Sequence, residues 1–247
     1  MANTFLERQF AVREQTSTPL IIEETMTIGG VGRATGTLFA LLLAAAIVGW
    51  GAVDSGGASP SVPGWLLPAV LAALAVAIVT VFRPQWAPWT APVYALIEGA
   101  FLGAISHVYE AMFDGIVVQA VLATGVTFAV MLTLYVTRTI RVTARFRSVI
   151  VGATVAIFAF YMISIVLSLF GTSVPLVWDS GILGIGFSLF VIAIAAFNLM
   201  LDFDLIERGS AAGMPEHMNW YAAFGLLVTI VWLYLEILRL LAKLQRD

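Results

Sequence analysis

Polarity along the chain is organised as long apolar runs broken by short polar stretches. The runs cover about residues 34–53, 65–82, 92–112, 115–136, 148–171, 181–203 and 218–242. Each is close to the length a helix needs to cross the ~30 Å hydrocarbon core of a bilayer. The pattern therefore predicts seven transmembrane helices. None of the runs alternates apolar with polar residues, as the strands of a membrane barrel must. The predicted fold class is all-α: a polar tail over 1–32, then one seven-helix transmembrane domain over 33–247. The segment 18–30 is mixed in polarity and is expected near the membrane surface. The breaks agree with this reading. Asp54–Pro63 is rich in Gly, Ser and Pro, which marks a loop. Arg83-Pro84 stops the second run, and Pro68 falls in its first turn, where a missing N–H is tolerated. Trp65, Trp86, Trp89, Trp178 and Trp220 fall at run ends, where interfacial belts place them.

Composition narrows the chemistry. Of 247 residues, 61% are hydrophobic and only 11% charged, against roughly 25% charged in a soluble domain. There is no cysteine, so disulfides and thiolate metal sites are excluded. His107 and His217 are the only imidazoles, too few for a zinc or haem centre. No tightly bound cofactor is expected. The net charge of -3 carries little about partners; the expected surroundings are the lipid bilayer, and no nucleic acid. The first thirty residues lack an apolar core after a basic start, so they do not read as a cleavable signal peptide.

Charge placement gives an orientation. Arg8, Arg13, Arg33, Arg83, Arg138, Arg141, Arg145, Arg147 and Arg208 all fall on one side of the predicted helices. The opposite loops carry Asp54, Glu110, Asp114 and Asp179. The positive-inside rule then puts the N-terminus in the cytoplasm, with the plasma (inner) membrane as the expected location. Arg239, Lys243 and Arg246 break the rule if all seven runs cross. Either the rule is violated locally, or one run is re-entrant; seven full crossings is the favoured reading.

Three carboxylates lie at membrane depth: Glu98, Asp202 and Glu236. Intramembrane acids are costly and mark a pathway, a pairing or a proton site. Asn198 and Asp202 are four residues apart and share a helix face; Ser188 and Ala195 extend it into a small-and-polar stripe. Asp204 lies on the other side and is placed to pair with Arg208 at i+4. Gly225, Thr229, Trp232 and Glu236 share one face of the last run. Glu236 with Arg239 at i+3 reads as a structural ion pair. Gly99 and Gly103 form a GxxxG, which reads as helix packing. The arginines over 138–147 read as an orientation signal.

The segments Leu201–Ile206, Pro92–Gly103 and Leu233–Leu241 together give a resemblance. In them the chain resembles the Bax inhibitor-1 (transmembrane Bax inhibitor motif) family, in its bacterial branch, over roughly residues 30–243. The resemblance implies a seven-helix fold whose last span is wrapped by the other six. It also implies a calcium leak that responds to pH, with calcium as the transported ion. In small bacterial members two aspartates, closing span six and within span seven, share protons, and an arginine near the end of span two latches onto the first. By this resemblance Asp202 is the first aspartate and Arg83 the latch. The second aspartate is absent, and its position holds Thr229. Glu98, at comparable depth, is the candidate replacement. Asp202 and Glu98, with Asn198, Thr229 and water, would make a loose, transient calcium site, because calcium prefers several hard oxygen ligands.

The leading expectation is a pH-sensitive calcium (cation) leak channel gated by protonation of intramembrane carboxylates. The alternative is a non-conducting regulatory protein that binds a membrane protease or another integral membrane protein. A proton-coupled transporter ranks lower, since no inverted repeat or matching broken helices are present. An enzyme is not expected, because no nucleophile–base arrangement is present.

Overall fold

A computed structural model describes residues 24–53, 63–170 and 181–246. The expectations for the tail up to residue 23, for the linker around Asp54, and for the loop with Pro175, Trp178 and Asp179 lie outside the described residues. Among the described residues seven α-helices follow one another: α1 Ile28–Gly51, α2 Leu66–Phe82, α3 Ala87–Met112, α4 Ile116–Val136, α5 Ala144–Leu169, α6 Ile182–Ala211 and α7 Met218–Leu244. A 3₁₀ turn over Pro84–Trp86 joins α2 to α3. Six of them are long and apolar enough to cross a membrane, and α2 is a shorter apolar helix of 17 residues. The chain is thus an all-α polytopic membrane protein.

The helices outrun the apolar runs at several ends, because polar residues can cap and continue a helix. α1 begins at Ile28 and not at Ala34, since the Thr27 hydroxyl accepts from the Gly30 N–H and so satisfies a free donor of the first turn. Thr143 does the same for Phe146 and starts α5 early. α6 continues to Ala211, well past its apolar part. Between α3 and α4 the Glu110 carboxylate accepts from the Gly115 and Val117 N–H groups, at 2.8 and 3.0 Å. Gly115 takes the left-handed backbone, φ 75°, that this tight reversal requires.

α7 sits between two groups of helices. On one side it packs with α1 and α3 around Leu38, Ala95, Phe224 and Leu227. On the other it packs with α4 and α6 around Ile116, Leu199, Leu233 and Leu238. α5 lies outside α6, joined through Ile150, Ile157, Val191 and Ile194, and reaches α7 through Tyr161. α2 packs chiefly against α3. The shell of the last helix is therefore α1, α3, α4 and α6, with side chains of α5 reaching its edge, and α2 stands outboard of it. Residues 24–27 are pinned beside the α6–α7 turn. The Met26 N–H donates to the Met214 carbonyl at 2.6 Å and the Thr27 N–H to Asn219 Oδ1 at 3.0 Å. Met26 is buried there, although the sequence reading placed it in a surface tail.

α1 and α3 run parallel and very close. A side chain at Gly99 would collide with the Leu42 carbonyl, and one at Gly103 with the Ala46 carbonyl. His107 Nδ1 lies 2.7 Å from the Trp50 carbonyl, with the two rings stacked. Each pair is separated by the same step along the chain, as parallel helices demand.

Candidate functional site

The polar residues of α6 and α7 face each other along a buried seam. Asp202 stands at the end of this seam nearest the α6–α7 turn. Its Oδ1 lies 3.6 Å from where a Cβ on Gly225 would sit, so glycine lets the α7 backbone approach the carboxyl. The Thr229 hydroxyl lies against the same carboxyl and also donates to the Gly225 carbonyl at 3.1 Å. Asp202 Oδ2 is sealed from solvent with no hydrogen-bond partner among the described residues. Thr229 therefore has one proton for two acceptors. A protonated Asp202 can donate to the Thr229 oxygen and leave the Gly225 bond intact. Among the described residues, an ionised Asp202 takes the Thr229 proton when Thr229 lets go of the Gly225 carbonyl.

Further along the seam, Glu236 is 1% exposed. Its Oε1 accepts from Arg239 Nη1 at 2.7 Å and from the Tyr161 hydroxyl at 2.8 Å, and Arg239 also donates to Tyr161 at 2.8 Å. Glu236 Oε2 is buried without a partner among the described residues. At the far end, Lys243 is 3% exposed. Its Nζ donates to the Gly184 carbonyl at 2.9 Å and to Ser188 Oγ at 3.0 Å.

The structure separates the other residues expected at the gate. Glu98 is buried on α3 between Tyr94 and Leu102. α3 meets α7 through the Tyr94–Phe224 ring pair and the 2.6 Å Ser106–Tyr234 hydrogen bond. Tyr234 is nine residues from Gly225, about half a turn round α7 at 3.6 residues per turn. Glu98 and Asp202 thus lie on opposite flanks of α7, and no hydrogen bond joins them among the described residues. Matching depth had suggested a shared site, but depth says nothing of azimuth. The transient calcium pair Asp202 and Glu98 is not assembled, and no three acidic or histidine side chains gather to hold a metal among the described residues. Asn198 turns to α5, where Nδ2 donates to Thr154 Oγ1 and to the Ile194 carbonyl, both at 2.8 Å. Arg83 caps α2, is exposed, and reaches no carboxylate among the described residues; α2 and α6 are on different sides of the bundle.

The acids beyond the apolar part of α6 are met by arginines of the α4–α5 connection, of the first turn of α5 and of α6 itself. Arg147 pairs with Asp204 at 2.6 Å, as does Arg208 at i+4. Glu207 takes both the Arg138 guanidinium and the Tyr135 hydroxyl. These contacts clasp the end of α6 beyond its apolar part and leave Asp202 alone inside. Sequence reasoning missed Tyr161, Thr154 and the burial of Lys243. Ser188 was visible as part of the stripe, but its cationic partner was not.

A family model described as Bax inhibitor 1 like matches residues 3–246 of the chain, nearly its whole length. No curated protein matches it.

Proposed function

The chain belongs to the Bax inhibitor 1 like family, and on that premise we propose that it is a cation leak of the plasma membrane, conducting calcium and gated by the protonation of Asp202. The N-terminus and the α6–α7 turn face the cytoplasm in this reading, on the side of the basic residues. The observation that carries it is the Asp202–Thr229–Gly225 arrangement, in which the one Thr229 hydroxyl proton is given to the Gly225 carbonyl while the hydroxyl lies against the Asp202 carboxyl. Gain or loss of the Asp202 proton decides whether Thr229 keeps its bond to the α7 backbone. Proton occupancy is thereby coupled to the α6–α7 contact. The arrangement works with one carboxylate, so the missing second aspartate does not remove the switch. An ionised Asp202 also leaves a hard oxygen at the cytoplasmic end of the seam, the ligand type calcium takes.

The test is calcium flux into liposomes holding the purified protein, from about pH 5 to 8, a range centred near neutrality that brackets proton binding to perturbed carboxyls. Wild type is expected to give a flux that varies with pH. Asp202→Asn, fixed in the neutral form, is expected to give one that does not. Flux absent at every pH in wild type would move the reading to a non-conducting regulatory protein that binds a membrane protease or another integral membrane protein.

A further inference from the structure

The seam has a register that the Asp202 switch does not use. Ser188, Ala195 and Asp202 are seven residues apart on α6, and Thr229, Glu236 and Lys243 are seven apart on α7. The helices are antiparallel, with Asp202 against Thr229 at one end and Ser188 bonded to Lys243 at the other. The same register puts Glu236 in the middle layer, opposite the fully buried Ala195. Each layer is about 10.5 Å from the next, and the three span about 21 Å, most of a bilayer core. On two mostly apolar helices these layers form one file, with Ala195 as its apolar position.

Lys243 is the unusual member. A lysine in the last turn of a transmembrane helix ordinarily runs its stem along apolar surface and puts its ammonium in interfacial water. This one turns inward and seats on a backbone carbonyl and a hydroxyl. Those are hard, neutral oxygens, of the kind a dehydrating cation takes in place of water. Beneath them Glu236 keeps one buried carboxylate oxygen without a donor among the described residues.

We propose that Lys243 is a tethered cation that plugs the outer end of the α6–α7 file, holding the Gly184 and Ser188 oxygens that a permeating cation would take, with Glu236 as the acidic station beneath. The proposal deepens the leak reading and rests on it for the identity of the permeating ion. In it, calcium enters from outside only when the ammonium leaves these oxygens, so Lys243 sets the closed-state leak.

The chain has no cysteine, so the plug can be read by labelling as well as by flux. A Ser188→Cys variant is exposed from outside to a membrane-impermeant, positively charged methanethiosulfonate, with and without Lys243→Met. Protection of the new thiol with Lys243 in place, and labelling once Lys243→Met is added, are expected. Calcium flux of Lys243→Met is expected to rise on the order of tenfold, the effect of lowering a barrier by about 1.4 kcal/mol. Lys243→Arg, which keeps the charge, is expected to stay near wild type in both readouts. Ser188→Ala, which removes one oxygen on which the ammonium rests without touching the charge, gives an intermediate flux and guards against a Lys243→Met variant that fails to fold. Equal labelling of the Ser188→Cys thiol with Lys243 present or absent overturns the plug. Labelling that changes as expected while no variant conducts leaves the plug standing and sinks the leak, so the two failures are distinguishable.

Discussion

Asp202 and Glu236 are carboxylates on the same seam, and they are satisfied in different ways. Glu236 has a charged partner, Arg239, and a phenol, Tyr161, on one oxygen; among the described residues Asp202 has the Thr229 hydroxyl against it and no charged partner. Glu236 therefore holds its charge in place through its arginine on one oxygen, and its other oxygen is left facing the seam. Breaking one side of a buried ion pair costs about 3–5 kcal/mol, whereas replacing both partners with apolar residues is often neutral. Arg239→Leu is expected to lower stability by that amount in detergent unfolding, and Glu236→Leu with Arg239→Leu to recover most of it. A single variant as stable as wild type would show that the pair carries no such burden. The i+3 spacing made this pair readable in the sequence. Tyr161 and Thr154 were not readable, because their partners lie on another helix and no local spacing records which helices meet. Glu98 shows the same limit from the other side. Its depth was right for Asp202, but depth fixes one coordinate of three, and its neighbours Tyr94 and Leu102 face α1 and α7 on the opposite flank.

At the scale of elements, the apolar runs identified all seven helices, because a bilayer demands continuous apolar surface and internally satisfied backbone. They did not identify the ends. A helix that leaves the membrane keeps its hydrogen bonds while its side chains turn polar, so α6 runs on to Ala211 with Asp204 and Glu207 clasped by Arg147 and Arg138. The GxxxG at Gly99 and Gly103 was readable as packing, though not its partner. That partner is α1, whose Leu42 and Ala46 carbonyls lie where side chains would be. The carbonyls belong to a rigid helix backbone and cannot move aside as a flexible side-chain tip would. Inserting extra volume in a tight core costs typically about 1–3 kcal/mol, occasionally more, and a four-carbon insertion against backbone belongs at or above the upper end. Gly103→Leu is expected to give little monodisperse protein by size-exclusion chromatography in detergent. Gly125→Leu on α4, where a Cβ meets nothing within 4 Å, is expected to behave as wild type. Equal behaviour of the two would mean that α1 and α3 do not approach as closely as described.

The parallel course of α1 and α3 decides the topology of the whole molecule. α2 leaves the far end of α1 and must deliver the chain back to the near end of α3, where Thr80 and Thr90 hydrogen-bond at 2.8 Å. It therefore crosses completely, even though 17 residues reach only about 25 Å against a core of about 30 Å; local thinning of the bilayer accommodates such a deficit at modest cost. Seven crossings put the end of α7 on the opposite face from the start of α1. The sequence alone left a conflict at this point, because Arg239, Lys243 and Arg246 then sit on the face that should lack basic residues. Their partners resolve it for two of the three. Arg239 is spent on Glu236 and Tyr161, and Lys243 on Gly184 and Ser188, so neither presents a free loop charge to the membrane surface. Only Arg246 is exposed there, lying over the Phe113 ring, against the arginines of the opposite side. Single cysteines report the outcome directly, since the chain has none of its own. Ala212→Cys, exposed in the α6–α7 turn, is expected to react with an impermeant maleimide only after the cytoplasmic side is opened. Arg246→Cys is expected to react in intact cells. Reaction of both from the same side would mean that one helix does not cross, and would move Lys243 and its file to the cytoplasmic face. Reaction of each from the side opposite to that expected would keep the seven crossings and invert the whole molecule, placing Asp202 where it would sense external and not internal pH.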